Sequence, residues 1–189
     1  MQRETRVVVT GIGLVTSVGH DAPTTWAALC AGTSGIARIT RFDTSRHGVT
    51  IAGEVHDFDA ARYIDCSDQR RYDRCVAYAI AATQEALRQA GVDAHLTAEE
   101  EVGVIIGSGK GGVASSHELY HVLFEQGPNH ITPFCFSQIS VSSPASAVSM
   151  LIGARGPCFA TVSACATATN AIGESFETIR RGDARMIIA

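Results

Sequence analysis

The stretch CFATVSACATATNAIGESFETIRRG, residues 158–182, decides the fold. Its first part, CFATVSA (158–164), is rich in apolar and β-branched residues and predicts a strand. From Cys165 to Arg181 the residues follow a helical pattern, with Ala168, Ile172, Phe176 and Ile179 on one face, and Gly182 is a typical helix stop. The sequence therefore predicts a strand that turns into a helix at Cys165.

The same order of strand, turn and helix recurs upstream. EVGVIIGSG, from Glu101, predicts a buried strand entering a glycine loop, and a helical stretch from Val113 to Gln126 follows it. ARMIIA, 184–189, predicts another strand. Strands that alternate with helices predict an α/β fold with a mostly parallel sheet flanked by helices.

The N-terminal third of the chain also predicts a strand followed by a turn and a helix. RVVVTGIG, from Arg6, is typical of a short buried strand running into a glycine turn, and residues 23–31 predict a helix that ends near Gly32. Residues 41–59 are irregular, and we expect them to combine loop with a short hairpin.

The clearest helical pattern covers residues 67–90. Its apolar positions keep helical spacing, with Ser67 or Asp68 as the N-cap and Gly91 just past the end. A further helix is expected to begin near Ser140, after the loop GPNHITP.

Length and charge exclude several classes of protein. With 189 residues the chain suits one domain or part of one, and its net charge of -4, without a basic stripe, argues against nucleic acid binding. The apolar runs are shorter than the roughly 18 residues that a membrane helix needs, and the N-terminus has no apolar signal region. We therefore expect a soluble, cytoplasmic protein without a membrane partner.

The six cysteines have no C-x-x-C pair and no zinc-ribbon spacing. We expect reduced thiols that are mostly small core residues, with one or two of them chemically active. They stand at positions 30, 66, 75, 135, 158 and 165.

Cys165 is the strongest candidate for chemistry, because it lies where the strand turns into the helix. At a helix N-terminus, unpaired N–H groups and the positive dipole end favour a thiolate and can hold a developing oxyanion. The alternative from the residues alone is a buried structural cysteine.

Two other motifs predict different chemistry. HELYH, 117–121, has the H-E-x-x-H form of a zinc hydrolase, but its extended form fails at Phe124 and Gly127, and only Glu174 or Glu177 on a distant helix could be a third ligand. We favour a solvated helix face there.

GSGKGG, 107–112, satisfies the dinucleotide pattern G-x-G-x-x-G, but Glu125 lies in the next helix and not after a second strand. It is also not a Walker A loop. The alternative to a nucleotide site is a glycine turn that allows close backbone approach.

Seven segments together resemble the N-terminal half of the elongating β-ketoacyl-acyl carrier protein synthases, which are condensing enzymes of the thiolase fold. The resemblance covers essentially the whole chain. In chain order the segments are VVVTGIGLVTSVG (7–19), WAALCAGTSGI (26–36), FDTS (42–45), IGSGKGG (106–112), GPNHITPF (127–134), GARGPCFATVSACATATNAIGES (153–175) and RRGDARMIIA (180–189).

The resemblance implies the N-terminal half of a thiolase-like fold and an acyltransferase of fatty-acid elongation. Cys165 would take an acyl chain from acyl carrier protein, and malonyl carrier protein would lose CO2 and attack the resulting thioester. The Cys165 N–H would be one oxyanion donor. Members of the family need no metal or nucleotide cofactor and are usually homodimers, so residues 158–162 are a candidate dimer contact.

Three departures from the family pattern limit what the resemblance implies. The family position that lines the acyl pocket is normally apolar, but here it is Lys110, which must reach solvent, find an acid or accept a polar substrate. SVSSPAS, 140–146, stands where the family has an Asn-Met pair and a glycine. The family's two catalytic histidines and a lysine belong to a C-terminal half, and none of the histidines here matches them: His20, His47, His56, His95, His117, His121 and His130.

The leading hypothesis is therefore a nucleophile-bearing half, residues 1–189, that acts only with its C-terminal half. Because the sequence stops in the apolar run 186–189, we expect it to be cut in its last strand. The alternative is a non-catalytic partner subunit or a degenerate remnant that keeps the fold, and a zinc hydrolase is a distant third. Acyl chain length is not predictable from the residues.

Overall fold

The computed structural model of the chain describes residues 5–92 and 101–189. Three short 3-10 turns cover Ala60–Arg62, Pro128–His130 and Ala164–Ala166. The helices and strands are, in chain order, α1 (Ala22–Cys30), β1 (Ile36–Arg38), β2 (Ile51–Gly53), α2 (Cys66–Gln69), α3 (Arg74–Ala90), β3 (Val102–Ile105), α4 (Val113–Gln126), α5 (Cys135–Ile139), α6 (Ser143–Ile152), β4 (Cys158–Phe159), α7 (Thr167–Arg181) and β5 (Met186–Ile188).

A three-stranded parallel sheet in the order β4-β3-β5 lies at the centre of the molecule. Val104 in the middle of β3 pairs with Cys158 on one side and with Ile188 on the other. All four residues of β3 are buried. The predicted α/β fold with a parallel sheet is confirmed.

Helices cover both faces of β3. Val102 and Val104 belong to a hydrophobic core with apolar residues of α3 and α6, among them Val76, Leu87 and Val148. Side chains alternate along a strand, so Gly103 and Ile105 face the opposite side, where α7 contacts the sheet. The strand that carries the glycine loop is therefore fixed on both faces.

The N-terminal segment departs from its prediction, since the run after Arg6 forms no strand within the described residues. Val8 and Val9 are 63% and 78% exposed. Two N–H groups bond to side chains of α3 instead: Ile12 N donates to Gln89 Oε1 at 2.5 Å, and Leu14 N donates to Glu85 Oε2 at 2.9 Å. The predicted buried strand is wrong, because no strand of the described residues pairs with this run and its valines are exposed.

The helix predicted over 67–90 is two helices. Residues 66–69 form α2, and α3 begins only at Arg74, because the Asp73 carboxylate accepts from the Cys75 N–H at 3.0 Å and caps it. The predicted end is confirmed, with Gly91 in the left-handed conformation at φ +67°.

The bounds of several other helices and strands agree more closely with the predicted ones. The observed bounds of α4 match the prediction, and α1 and β5 lie within two residues of theirs. The hairpin expected in 41–59 is confirmed in part, because β2 lies there but pairs with β1 before it. Helix α6 begins three residues after Ser140, and the strand predicted over 158–164 is only two residues long.

In the part of the chain that the structure describes, no helix combines the length and apolar character needed to cross a membrane.

Candidate active site

Cys165 lies on a tight turn between β4 and α7, which we call the cysteine turn (residues 161–167). The thiol is exposed and free. Ala164, directly before it, has φ +52°, a left-handed conformation that costs a non-glycine residue roughly 1–2 kcal/mol. A strained residue next to a candidate nucleophile is typical of functional turns, because it lifts the following side chain out of the surface.

Side-chain hydrogen bonds hold the cysteine turn in shape. The buried Thr167 hydroxyl accepts from Ser163 N at 2.9 Å, and the Thr161 hydroxyl donates to Thr167 O at 3.0 Å. Asn170 Nδ2 donates to Ser163 Oγ at 2.5 Å. Because both sides of the turn are tied together, the position of Cys165 is set before any ligand binds.

The backbone of the turn leaves the N–H group of Cys165 itself without an acceptor in the described part of the chain. Ala166 N donates to Ser163 O at 3.1 Å, and Thr167 N donates to Ala164 O. Cys165 N has no acceptor among the residues that the structure describes. An N–H in this position can donate to an oxygen atom that gains negative charge during attack by the thiol.

Residues 106–112, the glycine loop, follow β3 and lie against the cysteine turn. A Cβ added to Gly107 would stand 2.2 Å from Thr167 Cγ2, and one added to Gly109 would stand 3.6 Å from Ala164 O. Gly111 has φ +66°, and its added Cβ would stand 2.3 Å from Ile139 O. These contacts confirm the interpretation of GSGKGG as a glycine turn with close backbone approach.

The acid considered for a nucleotide ribose does not lie at this loop. Glu125 is near the end of α4, exposed, with its Oε1 at 3.3 Å from His121 Nε2. The loop itself packs on the cysteine turn, so its glycines are explained without a dinucleotide.

Lys110 is exposed in the glycine loop. Within the described residues, no carboxylate lies within 4.0 Å of its ammonium group. Lys110 was expected to reach solvent, find an acid or accept a polar substrate, and the structure shows contact with solvent. Its role toward a substrate stays a prediction.

HELYH forms part of a surface helix. His117, Glu118 and His121 are all exposed on α4, as expected of a solvated helix face. Glu177, one of the two acids considered as a third ligand, pairs instead with Arg180 Nη2 at 2.6 Å. Across residues 5–92 and 101–189, no group of three His, Cys, Asp or Glu side chains could hold a metal ion.

The other cysteines correct one expectation. Cys30, Cys66 and Cys158 are exposed, and Cys75 and Cys135 are only half-buried, so the prediction of mostly core residues is wrong. Four of them, Cys30, Cys66, Cys135 and Cys158, stand at helix ends or on the edge strand β4, where packing against the core is incomplete. Exposure alone therefore does not distinguish Cys165 from the other thiols, whereas its turn does.

The role of Asp73, which supports the glycine loop, was not predicted from the sequence. The Asp73 carboxylate is buried, and it accepts from Ser115 Oγ at 2.7 Å and Ser115 N at 3.2 Å besides capping α3. It therefore ties the start of α4, just after the loop, to the start of α3. The motif Asp followed by an apolar helical run could have indicated the cap, but not the distant serine.

Comparisons with known proteins cover nearly the whole chain. Residues 4–189 match the family model for "Beta-ketoacyl synthase, N-terminal domain". The chain is 40% identical over 188 residues to 3-oxoacyl-[acyl-carrier-protein] synthase 2 of Staphylococcus aureus strain COL, covering all of this chain and 45% of that protein. It thus spans about half the length of the curated relatives it matches.

Solved structures agree with the predicted fold. The ishigamide ketosynthase/chain length factor has a TM-score of 0.86 and 28% identity, covering 96% of this chain and 46% of that one. A beta-ketoacyl synthase from Burkholderia phymatum STM815 has a TM-score of 0.81 and 28% identity, covering 94% and 44%. The predicted N-terminal half of a thiolase-like fold is confirmed.

Proposed function

Because the chain belongs to the family of beta-ketoacyl synthase N-terminal domains, we propose that residues 1–189 are the nucleophile-bearing half of a β-ketoacyl-acyl carrier protein synthase. The observation that carries the proposal is the exposed Cys165 on a strained turn at the start of α7, beside an N–H that has no acceptor in the described structure. The relatives named for this reaction give the substrate class, an acyl thioester of acyl carrier protein.

In the first half-reaction the Cys165 thiolate attacks the carbonyl carbon of the acyl thioester. A new S–C bond forms, the C–S bond to the carrier breaks, and the carrier sulfur leaves as a thiolate that takes up from solvent the proton Cys165 lost on ionising. The positive end of α7 favours the thiolate, and the Cys165 N–H donates to the carbonyl oxygen as it becomes an oxyanion.

In the second half-reaction malonyl carrier protein loses CO2. The electron pair of the broken C–C bond attacks the acyl carbon on Cys165, a new C–C bond forms, and the Cys165 thiolate leaves. The resemblance assigns two histidines and a lysine to this step, in a second half of the protein. The 189 residues alone should therefore accept an acyl group but not complete the condensation.

Acylation of Cys165 is the direct test. The chain is mixed with an acyl carrier protein thioester, with and without a polypeptide matching the second half of a relative, and the intact mass is followed. We expect an increment equal to the acyl group, lost in Cys165→Ala and kept in Cys30→Ala, which removes another exposed thiol. No acylation under either condition would support the non-catalytic partner or remnant.

The reactivity of the thiol gives an independent measurement. At neutral pH iodoacetamide should modify Cys165 faster than the five other cysteines, as read from peptide masses after short exposures. Equal, slow labelling of all six thiols would contradict an activated nucleophile. Homodimerisation through residues 158–162 and a cytoplasmic location stay predictions, and light scattering of the purified chain tests the first.

A further inference from the structure

Lys110 is the only lysine in the sequence; all other residues among the 15 Lys and Arg are arginines. It stands in the glycine loop, next to Gly109, whose added Cβ would be 3.6 Å from the backbone oxygen of Ala164. Ala164 in turn directly precedes Cys165. The only lysine ammonium group is therefore carried by the loop that contacts the candidate nucleophile's turn.

The glycine loop is packed near both ends, against Thr167 at Gly107 and against Ile139 at Gly111. Gly111 N donates to Ser108 Oγ at 2.9 Å, and the absence of space for a Cβ at Gly111 shows that its backbone lies against Ile139. The backbone next to Lys110 therefore lies beside the cysteine turn, and the flexible four-carbon stem sets how far the ammonium group can reach from there.

Neighbouring acids do not neutralise this cation within the described structure. Asp73, at the Gly112 end of the loop, is engaged by Ser115 and by the Cys75 N–H. Glu118, one helical turn into α4, is exposed and forms no ion pair with Lys110. The ammonium group keeps its hydrogen-bond donors for solvent or for a ligand.

We propose that Lys110 makes Cys165 selective for acyl thioesters whose acyl chain carries an anionic group, such as a carboxylate. The proposal rests on the proposed acyltransfer to Cys165. An aliphatic chain in contact with the ammonium group would displace water molecules from it without replacing their hydrogen bonds. A carboxylate would replace those bonds with charge-assisted ones. The substrate class is thus a dicarboxylic half-thioester and not a simple fatty acyl thioester.

A phosphate is a second possible anion, since it belongs to the carrier arm of every such substrate. The arm places a long chain of bonds between the phosphate and the thioester that reaches Cys165. Lys110 is carried by the loop that contacts the cysteine turn, where the thioester would react, and this favours the acyl carboxylate over the distant phosphate. The experiments separate the two sources.

The first experiment compares iodoacetate, an anion, with iodoacetamide, a neutral reagent of nearly the same size. The ratio of their rates at Cys165 is measured for the unmodified chain, Lys110→Met, Lys110→Gln and Lys110→Arg. We expect both neutral variants to lower the ratio by roughly threefold to tenfold and the arginine variant to keep it. The same ratio at Cys30, exposed at the end of α1, is the internal control and should not change.

The second experiment uses glutaryl and pentanoyl thioesters, which have equal carbon number, each on pantetheine and on phosphopantetheine. Acylation of Cys165 is followed by intact mass. The unmodified chain should prefer glutaryl on both carriers, by roughly threefold or more, and Lys110→Met should lose the preference.

Each contrary outcome has a distinct meaning. If Lys110→Met slows only the phosphopantetheine thioesters, whatever the acyl group, the anion is the arm phosphate and the proposal is overturned. An unchanged alkylation ratio, or acylation without a preference that depends on Lys110, also overturns it. No acylation by any thioester would refute the proposed acyltransfer itself.

Discussion

Gly107 and Gly173 lie in opposite surroundings, although both flank the cysteine turn. An added Cβ at Gly107 would stand 2.2 Å from Thr167 Cγ2 and 2.6 Å from Thr161 Oγ1, while at Gly173 nothing lies within 4 Å. Gly107→Ala must push the loop away from the turn, so we expect the free energy of unfolding to fall by about 1–3 kcal/mol in a urea titration.

Gly173→Ala is the matched control. It removes a glycine from the middle of α7 without a clash, so it should raise the free energy of unfolding by roughly 0.5–1 kcal/mol. Equal effects of the two alanines would contradict the packing described for the glycine loop.

Cys75 predicts a pH dependence of stability. Burial, reinforced by the neighbouring Asp73 carboxylate, raises the pKa of this thiol from about 9 to about 12. Between these values the unfolded chain has lost a proton that the folded chain keeps, so the free energy of unfolding falls as pH rises. The contribution of Cys75 is complete below pH 9 and is lost toward pH 12.

Urea titrations in reductant from pH 8 to pH 10.5 measure this effect. Cys75→Ala should show a shallower decline of stability with pH than the unmodified chain, and Cys158→Ala, which removes an exposed thiol, should decline in parallel with it. Superimposable slopes for all three proteins would show that Cys75 ionises equally in both states.

Single residues also show where local sequence carries little information. The position of Cys165 between a strand and a helix was predictable, because the residues before it follow a strand pattern and those after it a helical one. The left-handed backbone at Ala164 was not, because alanine by itself avoids that conformation and only the surrounding hydrogen bonds and the glycine loop impose it.

At the scale of elements, Asp73 links α3 to α4. Asp73→Ala removes a helix cap and leaves the Ser115 N–H and hydroxyl without their acceptor, so the free energy of unfolding should fall by about 2–3 kcal/mol. Asp73→Asn keeps one carbonyl oxygen and should cost about half as much. Chemical denaturation provides both values.

Asp68 offers the comparison for Asp73. It lies on α2, half-buried, with an ion pair to Arg71 at 3.1 Å, and Asp68→Ala should change stability by less than about 0.5 kcal/mol. A similar loss in Asp68→Ala and Asp73→Ala would rule out a special role for the link between α3 and α4.

Helix boundaries followed from sequence where glycines mark them. Helix α4 lies between Gly112 and Gly127, and α7 ends at Gly182, so these glycines were sufficient to predict the helix ends. The orientation of α7 was not predictable. Its buried side consists of Thr167, Ala171, Ser175 and Thr178, while Ile172 is 60% and Phe176 42% exposed.

This orientation is physically consistent because the buried hydroxyls bond within the helix. Ser175 Oγ donates to Ala171 O at 2.8 Å, and Thr178 Oγ1 donates to Glu174 O at 2.7 Å. Periodicity identifies an apolar stripe, but only the tertiary structure decides whether the stripe or the small polar side meets the sheet.

The solvent-accessible surface of the chain is larger than that expected of a compact protein of the same mass. A compact monomer of 19.9 kDa would expose about 8,700 Å², whereas this chain exposes 12193 Å². Apolar side chains on α7 are among the exposed ones, and such side chains are typical of a surface that another polypeptide covers.

Complementation tests this indication. A polypeptide matching the second half of a relative should raise the melting temperature of the chain and reduce its binding of a hydrophobic dye. Ile172→Ser with Phe176→Ser should abolish both effects, while Phe124→Ser on the exposed face of α4 should leave them intact. Identical behaviour of the two variants would argue against α7 as the covered face.

The strand order β4-β3-β5 also has a consequence for biosynthesis. β3 is translated first of the three strands, but its neighbours are encoded about 55 and 85 residues later, so the central strand has no partner while that intervening chain is being made. Pairing over such separations is slow, and an unpaired apolar strand can aggregate. Ribosome-bound chains should therefore acquire a protease-resistant core only after residue 188 has left the exit tunnel.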